Sequence, residues 1–201
     1  MLKRFLLAAA LLFTLTVPVH SANIDNYGLY INNGIAKLRI GNPAAAIQDF
    51  DKAINLDPSN AEGYLQRARA KGALEQRSDA IKDYDKAISL DSNNVDAYFH
   101  RGLNYFISGE LEEAIKDFDK VIGLDPDHTF TYLFRGAIFN KLGQYSAAIK
   151  DFDKVISLDP NNADAYAARG DAKKGFGLHS EAKKDYDKAI RLNPDIAKDK
   201  P

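Results

Sequence analysis

The chain has 201 residues with a formal net charge of −1, and 27% of its residues are charged. That balance leaves no basic excess to displace counterions from a phosphate backbone, so nucleic acid is a poor fit as a partner. There is no cysteine, which excludes disulfides, thiolate metal ligands and a thiol nucleophile.

The first segment stands apart. Lys3 and Arg4 precede a continuous apolar run from Phe5 to Leu15, Pro18 breaks it, and Val19-His20-Ser21-Ala22 follows. Basic, apolar and small residues in that order predict a secretory signal over residues 1–22. Cleavage after Ser21 places Val19 at the −3 position; cleavage after Ala22 places His20 there, a poorer fit. A retained membrane anchor is the other reading, but the run from Phe5 to Val19 is shorter than the ~20 residues a spanning helix needs. Cleavage would leave no membrane segment. An exported chain without cysteine points to a bacterial periplasm, and no Asn-X-Ser/Thr sequon suggests glycosylation.

After a short linker at Asn23–Asn26, one pattern organises everything. Ala46, Ala80, Ala114, Ala148 and Ala182 stand 34 residues apart. Around three of them the sequence is nearly identical, as in Ala114-Ile-Lys-Asp-Phe-Asp-Lys-Val-Ile. A fixed period of this size predicts a stacked repeat array. The repeats run 27–60, 61–94, 95–128, 129–162 and 163–196, with a charged tail at 197–201.

Each repeat carries two helical signals. In the second, Ala114, Ile115, Phe118, Val121 and Ile122 fall on one stripe of a 3.6-residue period. Asp-Pro at Asp57, Asp125 and Asp159, and Asn193-Pro194, stop that helix; repeat two departs with Asp91-Ser92. Asn60, Asn94 and Asn162 are placed to cap the first helix, with Glu62, Asp96 and Asp164 in its first turn. Tyr64, Tyr98, Tyr132 and Tyr166 are each followed four positions on by a small residue: Ala68, Gly102, Gly136 and Gly170. Such small residues let two helices approach closely. Gly109, Gly143 and Gly177 supply the turn between helices, and Asn42-Pro43 supplies a cap with proline behind it.

Tyr98, Gly102, Tyr105, Ala114, Phe118 and Pro126, and again Tyr132, Gly136, Phe139, Ala148, Phe152 and Pro160, resemble the tetratricopeptide repeat family. The resemblance covers the chain after its first segment. It implies an all-α fold: five antiparallel helix pairs stacked into a right-handed α-solenoid. Two departures stand out. The family's leucine before glycine is Arg67, Arg101, Arg135 and Arg169 here, with Asn33 in repeat one. Repeat five has Lys183 where the others have isoleucine, as suits a terminal repeat facing water.

The arginine column has two readings: a guanidinium ladder for an acidic ligand, or partners for the in-phase carboxylates Asp49, Asp83, Asp117, Asp151 and Asp185. The matched phase favours the second. Asp85-Lys86, Asp119-Lys120 and Asp153-Lys154 read as a solvated outer face.

Nothing points to an enzyme or a cofactor. His20, His100, His128 and His179 have no companions at metal or triad spacing and read as surface residues. No phosphate loop or hydrolase motif occurs, and the Asp-Pro-x-Asn segments lack the glycine and closing glutamate of a calcium loop.

The resemblance implies that the first helices line a concave groove for peptides. Matched by phase, that groove comprises Leu65, Arg69, Phe99, Leu103, Phe106, Phe130, Leu133, Ala137 and Asn140. The alternative is that Phe99, Phe106 and Leu133 pack between adjacent repeats. The family's clamp for C-terminal carboxylates uses Lys and Asn, whereas Leu65, Leu103 and Leu133 stand at matching positions, so that clamp is not expected. The expectation is a non-enzymatic, exported scaffold for a protein or peptide partner. Self-assembly through repeat five is the alternative, and the sequence leaves the oligomeric state open.

Overall fold

The computed structural model describes residues 19–198, with side chains from Asn26 to Ile196. The predicted signal lies outside the described residues except for the backbone of Val19–Ala22. Ten α-helices and one 3₁₀ turn follow, with no strand among the described residues. They are α1 (Val19–Arg39), α2 (Pro43–Leu56), α3 (Ala61–Ala73), α4 (Arg77–Leu90) and α5 (Val95–Ser108). Then come α6 (Leu111–Leu124), α7 (Thr129–Lys141), α8 (Tyr145–Leu158), α9 (Ala163–Gly175) and α10 (His179–Leu192). Odd-numbered helices are the first of a repeat and even-numbered ones the second. This is an all-α solenoid of helix pairs. The 3₁₀ turn, Pro194–Lys198, follows α10. At the other end α1 starts at Val19, so the expected linker at Asn23–Asn26 is helical.

The caps behave as their residue types dictate. Asn60 accepts a hydrogen bond from the Glu62 N–H at 3.0 Å, and Asn94 and Asn162 do the same for Ala97 and Ala165 at 2.9 Å. Asn42 caps α2 with Pro43 behind it. Between the helices of a pair, Gly41, Gly109, Gly143 and Gly177 take positive φ. At the matching position of repeat two stands Glu75, at φ 60°, which a side chain rarely adopts.

The chain divides into two units, Met1–Leu90 and Asp91–Pro201. The boundary falls where Asp91-Ser92 replaces Asp-Pro. In the first unit, Ile31, Ala46, Phe50, Ala53 and Ala70 form a core joined by Tyr27, Tyr30, Ile35, Leu38 and Ile47. Gly34 admits the Phe50 ring: a Cβ there would lie 2.3 Å from it. In the second unit the same device repeats. Gly102 meets Phe118, Gly136 meets Phe152 and Gly170 meets Tyr186, each at 2.6–2.8 Å from a built Cβ. The large partner of each small residue is therefore the aromatic of the paired helix. The tyrosine four positions earlier has a different neighbour, a guanidinium.

The arginine column is structural, as the matched phase predicts. Arg67 donates from Nε and Nη2 to Asp83 at 2.8 and 2.7 Å, and from Nη1 to Asp51 at 2.7 Å. Arg169 does the same with Asp185 at 2.8 and 2.6 Å and with Asp153 at 2.6 Å. Arg135 joins Asp151 and Asp119, and Arg101 joins Asp117. Each of these arginines thus holds a buried carboxylate of its own repeat. Arg67, Arg135 and Arg169 also hold a half-exposed carboxylate of the preceding repeat. Asp51, Asp119 and Asp153 therefore staple successive second helices together; Asp119 and Asp153 lie on the exposed face, as expected, but are engaged there in ion pairs. Each guanidinium lies over the tyrosine three residues before it, 5.3–5.8 Å from the ring centre, and Lys86, Lys120, Lys154 and Lys188 approach the same rings. In repeat one, Asn33 cannot play this part, and Lys37 reaches Asp49 at 2.6 Å instead.

Electrostatics differ along the column. Burial pushes the Asp151 carboxyl up despite Arg135. Burial also acts on Asp185, yet Arg169 together with Lys173, 2.9 Å away, brings it below its ordinary value. Asp151 is the more deeply buried of the two, and the charge of Asp119 adds to its upward shift.

Candidate functional site

A helix whose packed side is fixed by a repeated pattern leaves its other side free to vary. On α7, Tyr132, Arg135, Gly136 and Phe139 are committed to the pair with α8 or to the staple. Phe130, Leu133, Ala137 and Asn140 recur at helical spacing on another stripe. On α5 the corresponding stripe is Phe99, Leu103 and Phe106.

The structure sorts the predicted groove residues. In the first unit, Leu65 is 3% exposed and belongs to the core. Arg69 is exposed but engaged: its Nη1 donates to Gln66 at 3.2 Å, and buried Gln66 donates to Glu62 at 2.8 Å. These two residues offer no apolar surface.

In the second unit, Phe99, Leu103 and Phe106 are half-buried and pack on the core of Leu111, Ala114, Phe118 and Ile138. The Phe99 ring lies 6.1 Å from those of Phe118 and Phe134, and Phe106 lies 6.1 Å from Phe134. Phe134, which phase alone did not single out, is the hub of this cluster. Leu133 is half-buried between two clusters, one around Tyr132, Val155 and Ala165 and one around Ala148, Phe152 and Ala172. Asn140 is half-buried, and Ala137 is exposed. Phe130 is 63% exposed and makes no ring contact among the described residues. Ile107, also missed, is 62% exposed and lies four residues beyond Leu103 on the same side of α5; its i+4 spacing was the available signal.

The first turns complete the setting. Asp96 on α5 and Asp164 on α9 are exposed, while α7 has no acidic residue in its first turn. Phe130 occupies the matching place.

The histidines are not all surface residues. His128 and His100 pack on Phe99, with ring centres 4.7 and 5.5 Å away, and His128 Nδ1 is 2.7 Å from the Thr131 hydroxyl. Among the described residues, no group of three or more His, Asp or Glu side chains could hold a metal. No helix among them is long and apolar enough to cross a membrane. A shallow open cleft of about 420 Å³ lies elsewhere, between Phe176 and the first turn of α8, with Tyr145, Ala147 and Lys150 on its wall.

Family models described as "TPR repeat" match residues 69–106 and 136–175, and those described as "Tetratricopeptide repeat" match 27–60, 95–128 and 163–196. No curated protein matches the chain. Among solved structures, one titled "Crystal structure of MamA protein" is 29% identical, with a TM-score of 0.77 over 87% of this chain and 95% of that one. Another, "Crystal structure of MamA", is 30% identical, with a TM-score of 0.75 over 82% and 96%. YrrB, a TPR protein with an unusual peptide-binding site, shares the fold at 24% identity, with a TM-score of 0.73 over 83% of this chain and 86% of that one. On its helix pairs, its periodic packing and these matches, the chain belongs to the tetratricopeptide repeat family.

Proposed function

We propose that the chain is a non-enzymatic scaffold that binds a peptide or a segment of a partner protein on the first helices of its second unit. One observation carries this reading: Phe130 exposes an aromatic ring on a stripe of α7 whose other side is fully occupied by repeat packing. An exposed large apolar side chain that the fold does not use has a natural role as a contact for another molecule. Membership of a family of binding scaffolds supports it. Of the nine groove residues matched by phase, Phe130 and Ala137 are the ones whose placement best suits contact, while Leu133 packs between two core clusters. Leu65 and Phe99 serve packing.

Phe130→Asp tests it cleanly. The neighbouring first helices carry an acid at this place, where the helix dipole favours it, so folding is unharmed. Affinity capture from an envelope extract, with the full chain as bait, is expected to retain a partner that the variant loses at unchanged melting temperature. An identical set of captured proteins would overturn the proposal.

The scaffold is proposed to work in the periplasm, on the strength of Lys3, Arg4 and the apolar run that follows. N-terminal sequencing of the exported protein should begin at Ala22 or Asn23; a retained Met1 would refute export by cleavage. Self-assembly through repeat five competes. Lys183 and Arg191 are exposed there around Ile190, charges that oppose close contact between like ends. Light scattering that shows a concentration-independent monomer would remove it.

A further inference from the structure

Within the binding reading above, we infer a ligand class: a peptide segment in which an apolar side chain is flanked by basic residues, seated at the first turns of α5, α7 and α9. The inference rests on what the repeats do at one position. Glu62, Asp96 and Asp164 occupy the first turn of their helices, where an anion complements the dipole. Repeat four gives up that complement and places Phe130 there, 63% exposed and in no ring cluster. Helix stability explains the acids and does not explain the phenylalanine.

On the helices before and after α7 in the same unit, the carboxylates of Asp96 and Asp164 are exposed and make no ion pair among the described residues. An apolar contact therefore stands, in repeat register, between two exposed anions that complement their helix dipoles and have no ion-pair partner among the described residues. The third repeat adds to the field, with eight carboxylates against three basic side chains. The opposite ends of α7 and α9 carry Lys141 and Lys174, both exposed, so the basic residues of a ligand are favoured at the first turns and disfavoured at the last. A ligand with acids beside its apolar residue would meet like charge at the place where Phe130 invites contact.

Fluorescence anisotropy on the full chain tests this with three labelled peptides that share a Leu-Phe-Leu centre and are flanked by lysine, serine or glutamate. The lysine-flanked peptide is expected to bind about tenfold tighter than the glutamate-flanked one, with the gap narrowing as salt rises. Phe130→Ala should weaken the lysine- and serine-flanked peptides alike. Asp96→Asn combined with Asp164→Asn should abolish the preference for lysine and leave the serine-flanked peptide unaffected. Equal binding of all three peptides, or a lysine preference that survives in the Asn variant, overturns the ligand class while the groove reading stands. Failure of all three, with a partner still captured in a Phe130-dependent manner, does the same. Failure of both peptides and capture overturns both. A change of sedimentation with Phe130→Ala would identify the occupant as a second copy of the chain and overturn this inference.

Discussion

Arg135 and Asp151, sixteen residues apart, meet in a two-pronged ion pair at 2.9 and 2.7 Å, and the remaining terminal nitrogen of the same guanidinium reaches back to Asp119. Asp151 is buried, so the pair cannot be removed one-sidedly without stranding a carboxylate. Arg135→Met is expected to destabilise by about 2–4 kcal/mol in urea denaturation. Arg135→Met combined with Asp151→Leu should recover much of that loss, because no buried charge is then left unpaired and Asp119, half-exposed, is solvated by water. Equal instability of the single and double variants would show that the pair's worth lies in its attraction alone.

Glu75 takes a backbone conformation at φ 60° that every other repeat assigns to glycine. Glu75→Gly should raise stability by roughly 1 kcal/mol, the usual cost of a side chain in this region less the chain entropy glycine adds. A thermal melt of the variant against the parent reads it directly. A lower melting temperature would mean that the Glu75 side chain contributes more than the strain costs.

Burial pushes the Tyr27 phenol up from 10 to about 12, against the lowering influence of the Gly63 backbone and helped by the nearby charges of Glu62 and Asp57. A phenol whose pKa is raised by folding contributes stability that is complete below the unfolded value. That stability is lost as pH climbs from 10 towards 12. Tyr27→Phe removes the ionisation, so its melting temperature should fall less steeply over that range. Parallel curves for the two proteins would place the alkaline loss elsewhere.

Leu133 and Ala137 separate stability from binding. Leu133 is wedged between two clusters, so Leu133→Glu should lower the melting temperature substantially, by a cost of about 2–3 kcal/mol. Ala137 is exposed, so Ala137→Glu should leave the melt within about 0.5 kcal/mol and act on partner capture alone. A stable Leu133→Glu protein would return that residue to the free surface.

Much of the fold was legible because identical neighbours produce identical residues. The alanine column and the Gly102–Phe118 type of contact recur because each copy meets the same wall. The Arg–Asp pairs could be read from two columns in phase. The second carboxylate of each staple was harder to see: Asp119 sits beside Lys120 in a run that looks like an ordinary charged face, and only the stacking of one repeat on the next brings Arg135 to it. Lys37 standing in for Asn33 was hidden for a related reason, since it sits one helical turn further on. At the candidate site, phase named the right helices but not the depth of each side chain. Leu65 and Leu133 carry the same letter at the same position, yet one is buried and the other half-buried. Phe130 was the clearest signal, because it departs from a column of acids.

The Arg135 staple has a consequence for how such a chain can grow. Its two grips, on a carboxylate behind it and on one within its own repeat, are the same two grips that Arg169 makes one repeat later. A duplicated stretch of 34 residues inserted between them would find both sockets already present at its borders. Length in this protein can therefore change by whole copies without new interactions being invented. An insertion of any other size would leave a guanidinium facing the wrong wall.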